Sequence, residues 1–372
     1  ADVMLSMALK ATATRSGRCS RLILFLTLRV LCPGWNEWRN TMDNFRAFRI
    51  DEQDGKIVAG FQELSIDDLT EGNVVVRVTH STINYKDALA ATGKGRILRR
   101  YPLNGGIDLA GVVVSSEDAD FQPGSEVLVT GCGLSETIDG GYSEYARVDS
   151  KSLVAIPDGM TCAEAMQIGT AGYTAALAIH RMEQNSQMPD LGPVVVTGAT
   201  GGVGSVAIDM LAGRGYEVAA VTGKAAEEDY LRKIGAQQIL LRDEIDFGKR
   251  PMEKAMWAGA IDNLGGDYLA WLTRTMKYGG NIASIGLAAS HELNTTVMPF
   301  ILRAVCLLGI NSVDTPHDLR RAVWRRIGGD LKPQHLDTIG SRSISFDELP
   351  DAFQAYIDGT VTGRIVVRIS GD

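Results

Sequence analysis

Two stretches of the chain concentrate groups able to do chemistry. In Val194-Val-Val-Thr-Gly-Ala-Thr-Gly-Gly-Val-Gly204, three glycines (Gly198, Gly201, Gly204) fall between an apolar run of strand character and an amphipathic run of helix character. A phosphate can approach a backbone only where no Cβ intervenes, and a helix starting there offers unpaired N–H groups and a partial positive charge. The spacing is G-x-x-G-x-x-G and not the common G-x-G-x-x-G, so the argument rests on strand, turn and helix falling in register. Gly198, Thr200, Gly201, Gly202, Val203 and Gly204 are the expected phosphate contacts. At the end of the next strand a carboxylate would accept from a ribose 2′-hydroxyl and repel a 2′-phosphate. The chain instead reads Thr222-Gly223-Lys224, a hydroxyl, a free backbone N–H and an ammonium, which favours NADPH.

The second stretch, Asn84-Tyr85-Lys86-Asp87, offers an amide, a phenol, an ammonium and a carboxylate in succession. Just beyond it, Lys94, Arg96, Arg99 and Arg100 form a basic cluster that either binds a multiply phosphorylated ligand or is a solvated loop. The five histidines (His80, His180, His291, His317, His335) show no ligand spacing, and no Ser, Cys or His triad pattern supports a hydrolase. Five scattered cysteines without a C-x-x-C pair indicate neither a disulfide framework nor a cysteine zinc site, and fit a reducing compartment such as the cytoplasm.

The elements that must position these groups need more than one domain. A chain of 372 residues with 45% apolar content and 41 glycines can fill two cores. Its net charge of −8 argues against nucleic acid or an anionic membrane as partner. Residues 1–41 hold six basic residues against Asp2 and Glu37, and the apolar run 22–28 is too short to span a bilayer. This segment reads as an upstream extension ahead of Met42 or as an organellar transit peptide, the latter implying a matrix location, and it is set aside from the fold. From Met42, short β-type runs at 45–50, 74–78, 109–114, 126–129 and 145–148 suggest a barrel-like domain. A helix is expected over 162–180. Strands at 194–197, 217–222, 238–241, 259–264 and 281–286 then alternate with helices at 202–214 and 226–234, which means a parallel sheet. Strands at 307–313 and 364–369 are expected to rejoin the first domain. The expected division is 42–165 with 310–372, and 166–309.

In this order, Asn84-Tyr-Lys-Asp87, Gly106-Ile-Asp-Leu-Ala-Gly111, Gly172-Tyr-Thr-Ala175 and the Gly198 to Gly204 turn, behind a β-rich first half, resemble the medium-chain dehydrogenase/reductases over residues 42–369. Within that superfamily, Asn84-Tyr-Lys-Asp-Ala-Leu-Ala-Ala-Thr-Gly93, Trp257-Ala-Gly-Ala-Ile-Asp262 and Thr295-Thr-Val-Met-Pro-Phe-Ile-Leu-Arg303 are similar to the acrylyl-CoA reductase group, long labelled as quinone oxidoreductases. The resemblance implies an α/β fold: a GroES-like β-barrel catalytic domain and a Rossmann, doubly wound parallel-sheet domain that binds NADP. At the positions where zinc relatives carry their cysteine and histidine ligands, this chain has Asn84, Ile107 and Gln167, which cannot make a thiolate and imidazole site.

The resemblance further implies reduction of a conjugated double bond, with hydride to the β-carbon and a proton to the α-carbon of an enoyl-CoA, as in acrylyl-CoA to propanoyl-CoA. Asn84 and Tyr85 are expected to line the nicotinamide site, with Lys86 and Asp87 positioning them or the cofactor. Arg242, Asn263, Ile285, Gly286, Leu287 and Arg364 are expected to complete the cofactor site, the Lys94 to Arg100 cluster to hold CoA phosphates, and the chain to form a homodimer. A quinone or enone reductase and a non-catalytic NADPH-binding regulator are the alternatives.

Overall fold

The computed structural model describes residues 44–371, so the expectations for residues 1–41 and for a start at Met42 lie outside the described residues. The chain opens with a hairpin, β1 (Phe45–Gln53) and β2 (Lys56–Leu64), turned at Asp54-Gly55, where both residues have positive φ as a two-residue hairpin turn requires. The strands that follow are β3 (Val74–Thr82), β4 (Leu103–Asn104), β5 (Asp108–Ser116), β6 (Glu126–Thr130), β7 (Tyr145–Val148) and β8 (Val154–Ala155). Side chains alternate across a strand, so Val74, Val76 and Val78 of β3 point into one core with Leu109, Val113, Val127 and Val129. Helix α1 (Tyr85–Thr92) leaves the end of β3 directly, and α2 (Cys162–Gln184) runs from this part of the molecule into the next.

Next come β9 (Val194–Thr197), α3 (Gly202–Gly213), β10 (Val218–Thr222), α4 (Glu228–Lys233), β11 (Gln238–Leu241), β12 (Trp257–Asp262), α5 (Gly266–Thr275), β13 (Met276–Ser284), α6 (Met298–Leu302) and β14 (Cys306–Gly309). Their six strands form an all-parallel sheet ordered β11-β10-β9-β12-β13-β14. Strand order reverses between β9 and β12, and the crevice beyond their carboxyl ends is where such sheets bind ligands. The strand expected over 307–313 does not rejoin the first sheet: β14 pairs in parallel with β13 and closes this one, because β13 offers the free edge. The helix expected over 226–234 is shorter, a 3-10 turn leading into α4.

After α7 (His317–Ile327) the chain returns through β15 (Arg342–Ser345) and β16 (Ile365–Arg368), and β16 pairs antiparallel with β3 to complete the order β15-β16-β3-β5-β6-β8. Arg320 of α7 joins the two sheets. Its buried guanidinium lies 4.7 Å from the Tyr173 ring centroid of α2 and donates to the carbonyls of Thr130, Ser312 and Val313.

Gly169 breaks α2 with φ 52° and ψ −162°. A Cβ there would stand 2.6 Å from Arg364 Nη2 and 2.9 Å from Asp108 Oδ2. Gly169→Ala combines backbone strain with overpacking and is expected to cost about 2–4 kcal/mol, read from urea unfolding. A loss under about 0.5 kcal/mol would show that the helix can pass this point without the kink.

Candidate active site

The glycine turn is built as a cradle. Gly201 caps α3 without a side-chain hydrogen bond, so the first N–H groups of the helix have no partner from the cap. Gly198 takes φ 60°, and a Cβ on Gly204 would stand 2.4 Å from the Gly198 carbonyl oxygen, so glycine is what lets helix and strand approach. Thr200 is buried, its carbonyl accepting from Gly363 N at 2.9 Å, and Val203 is partly buried behind the turn. Across the crevice, Asn263 holds β9 through Nδ2 to Thr197 O (2.7 Å) and N to Thr197 Oγ1 (2.9 Å). Its Oδ1 is buried without a hydrogen-bond partner, an acceptor left over beside the cradle. Asp262 locks the same strand ends through Thr197 Oγ1 and Gly265 N, and burial raises its carboxyl. Ile285 N and Gly286 N bond to Asp262 O, and a Cβ on Gly286 would collide with Asn263 O, so both expected residues adjoin the crevice while Leu287 stands on the rim, 67% exposed.

At the end of β10, Lys224 is neither free nor merely solvated. Its Nζ donates to Val361 O (2.8 Å) and Thr362 Oγ1 (3.2 Å), and partial burial lowers its affinity for a proton. The N–H of Lys224 donates to Thr222 Oγ1. Arg242 packs against Gly223: a Cβ there would lie 3.0 Å from its Cζ. Thr222, Lys224 and Arg242 thus stand around the end of β10, with Arg242 also paired to Asp243 at 3.3 Å.

The Asn84 to Asp87 motif separates. Asn84 caps α1 and is buried, and its amide is fully used: Nδ2 donates to Asp108 Oδ2 (2.7 Å) and Asp87 Oδ2 (3.2 Å), while Oδ1 accepts from Arg364 Nη1 (3.0 Å). Asn84 is thus a buried hub whose side-chain polar atoms are all taken by Asp108, Asp87 and Arg364. Asp87 accepts from Asn84 N and Ile107 N. Lys86 pairs with Glu136 at 3.0 Å. Tyr85 stays half exposed, at 51%.

Lys86 joins the basic cluster. With Arg96, Ile97, Leu98, Arg99 and Glu136 it lines an open cleft of about 470 Å³. Lys94 and Arg100 are exposed and do not line that cleft. Sequence reasoning missed Asp108, which accepts from the N and Oγ1 of Thr170 as well as from Asn84. Its signal was present in Gly106-Ile-Asp, where attention fell on Ile107 as a former ligand position.

Comparison with known proteins matches residues 70–158 to the alcohol dehydrogenase GroES-like domain and residues 202–327 to the zinc-binding dehydrogenase family. The chain is 46% identical over 321 residues to acrylyl-CoA reductase AcuI of Ruegeria pomeroyi, covering 86% of this chain and 97% of that one. It is 45% identical over 326 residues to YhfP of Bacillus subtilis, provisionally named a quinone oxidoreductase, covering 87% of this chain and 99% of that one. The solved structure of YhfP has NAD bound and superposes with a TM-score of 0.85. The YhdH oxidoreductase of Salmonella enterica, solved in complex with NADP, is 46% identical with a TM-score of 0.84, covering 87% of this chain and 100% of that one. A zinc ion, implied by the second family, does not fit the donor set here. The amide of Asn84 is consumed, Ile107 offers an alkyl chain, and Gln167 spends Nε2 on Gly340 O.

Burial pushes the Asp87 carboxyl up to about 7, and Asp108 across the shared amide adds to the rise. The ordinary value is 3.8, so between these values the folded protein keeps a proton that the unfolded chain has lost. The contribution of Asp87 to stability is thus full below the unfolded value and is lost as pH rises through the folded one. Relative to Asp87→Asn, wild type is expected to lose up to about 1.4 kcal/mol per pH unit between about pH 4 and pH 7 in urea unfolding, and to level off above. A difference independent of pH would mean that Asp87 is ionised throughout.

Proposed function

The chain belongs to the medium-chain dehydrogenase/reductase superfamily, and on that premise we propose that it is an NADPH-dependent reductase of the conjugated double bond of a short enoyl-CoA, acrylyl-CoA to propanoyl-CoA first among them. The observation that carries this reading is the filled metal position. Reduction of a simple carbonyl puts its charge on one oxygen, which the zinc relatives meet with a Lewis acid. Where a saturated network of amide, guanidinium and carboxylates replaces the ligands, a conjugated thioester is the easier acceptor, because charge spreads from the α-carbon to the thioester oxygen and can be held by hydrogen-bond donors.

Bound NADPH would supply the hydride, delivered to the β-carbon. The Gly198 to Gly204 turn and the start of α3 receive the dinucleotide phosphates, and Asn263 Oδ1 supplies an acceptor facing no protein donor. Lys224 and Arg242 favour a 2′-phosphate over a free hydroxyl. Tyr85 lines the reacting site with a phenol that can donate to the thioester oxygen. Lys86, Arg96 and Arg99 hold phosphates of coenzyme A in their cleft, Glu136 keeping the Lys86 ammonium in place. Among the described residues no helix is long and apolar enough to cross a membrane. A homodimer joined at the edge of β14 accounts for Val297, Ile301, Leu302 and Leu307, apolar side chains exposed on or just before that strand.

NADPH oxidation measured against acrylyl-CoA, crotonyl-CoA and a panel of quinones is expected to show the largest kcat/KM with acrylyl-CoA. Arg96→Ala and Arg99→Ala are each expected to raise KM for the thioester by about tenfold, with kcat and NADPH affinity nearly unchanged, since a phosphate contact is made equally in ground and transition states. Turnover confined to quinones would replace this reading with that of a quinone reductase. Tight NADPH binding without turnover of either class would favour the regulatory one.

A further inference from the structure

Asn84 and Gln167 stand where zinc relatives have ligands, and both are bound by one cation. Arg364, just before β16, donates from Nη1 to Asn84 Oδ1 (3.0 Å) and Ile83 O (3.3 Å), from Nη2 to Thr82 Oγ1 (2.9 Å) and from Nε to Gln167 O (3.3 Å). Asp108 Oδ2, next to the third former ligand position, lies 4.0 Å from Nη2. The side chain is 97% buried, yet a guanidinium keeps its charge at any accessible pH. The same side chain lies against the glycine turn: a Cβ on Gly202 would stand 2.9 Å from Arg364 Cδ and 3.0 Å from Nη1.

We propose that Arg364, beside Asp108, stands in the metal's place as a positioning residue: it fixes the Asn84 amide, and through it the start of α1 and Tyr85, while its charge lies against the phosphate cradle at Gly202. The physical case has two parts. First, Asn84 can keep its oxygen toward Arg364 and its NH₂ toward Asp108 and Asp87 only in one amide orientation, so the guanidinium decides where α1 begins. Second, a cation against the N-terminus of α3 sets positive potential against positive potential, an arrangement relieved by an anion bound at that terminus. One buried group thereby links cofactor phosphates to the placement of the phenol.

This inference rests on reading the Gly198 to Gly204 turn as the cofactor's phosphate site, and not on which acceptor is reduced. It is tested with Arg364→Met, Arg364→Lys, Tyr85→Phe and the Arg364→Met/Tyr85→Phe pair, each checked for folding by circular dichroism. The NADPH dissociation constant is read from quenching of protein fluorescence, and kcat at saturating NADPH with whichever acceptor wild type turns over best. Arg364→Met is expected to raise the dissociation constant and lower kcat by about tenfold each. Arg364→Lys keeps the charge without the planar fork, so it should recover most of the NADPH affinity and little of kcat. In the Tyr85→Phe background, Arg364→Met should cost no more than about threefold in kcat, because the two act as a unit. A folded Arg364→Met with both constants within about threefold of wild type, or kcat losses that multiply in the double variant, would overturn the proposal. Should Arg364→Met not fold, wild-type kcat in Arg364→Lys overturns it equally. Should no acceptor be turned over, the functional reading fails while the NADPH constant still decides the role of Arg364.

Discussion

Everything around the reacting site depends on one buried ionic cluster. Arg364 just before β16, Asp108 from β5, Asn84 and Asp87 from the start of α1, and Thr170 just past the kink of α2 are joined through the Asn84 amide and the Asp108 carboxylate. Burying ions costs several kcal/mol each unless their hydrogen-bond capacity is filled. Here it is filled almost completely, so displacing Asn84 leaves Asp108, Asp87 and Arg364 each one hydrogen bond short in a buried place. That penalty makes four elements behave as one body.

The cluster also explains why two sheets of different construction hold a common register. β16 and β5 belong to the first sheet, α2 runs between the two, and Arg364 lies directly against the first residue of α3. Gly169 and Gly202 are glycines because the guanidinium occupies the space their side chains would need. Arg320 repeats the device at a distance, a guanidinium satisfied by carbonyls from β6 and from the segment after β14. Both junctions use arginine, whose planar fork serves several acceptors at once.

The phosphate cradle was legible in the sequence because its signal is local: an apolar run, glycines where backbone must approach, and an amphipathic run directly after. β9 and β11 accordingly fall on their expected bounds. β2 was missed although Asp54-Gly55 is a hairpin signal, because its half-exposed face dilutes the alternation. The 307–313 run was assigned to the wrong sheet, since strand character says nothing about which edge a strand will join. The motif at Asn84 shows the same limit at the scale of a side chain. Sequence displays an amide, an ammonium and a carboxylate, but not that Asp108 and Arg364, far apart along the chain, consume the amide, or that Glu136 draws the ammonium into another cleft.

A site that replaces a metal by a saturated hydrogen-bond network has little means to gather charge on a lone carbonyl oxygen, and much to gain from a substrate that spreads it. The most direct test follows the label. With NADPH deuterated at C4 of the nicotinamide and acrylyl-CoA as acceptor, the account predicts propanoyl-CoA carrying deuterium on its β-carbon. With unlabelled NADPH in heavy water, the deuterium should appear on the α-carbon instead. Label on a carbinol carbon, or no label in the thioester while NADPH is consumed, would contradict it.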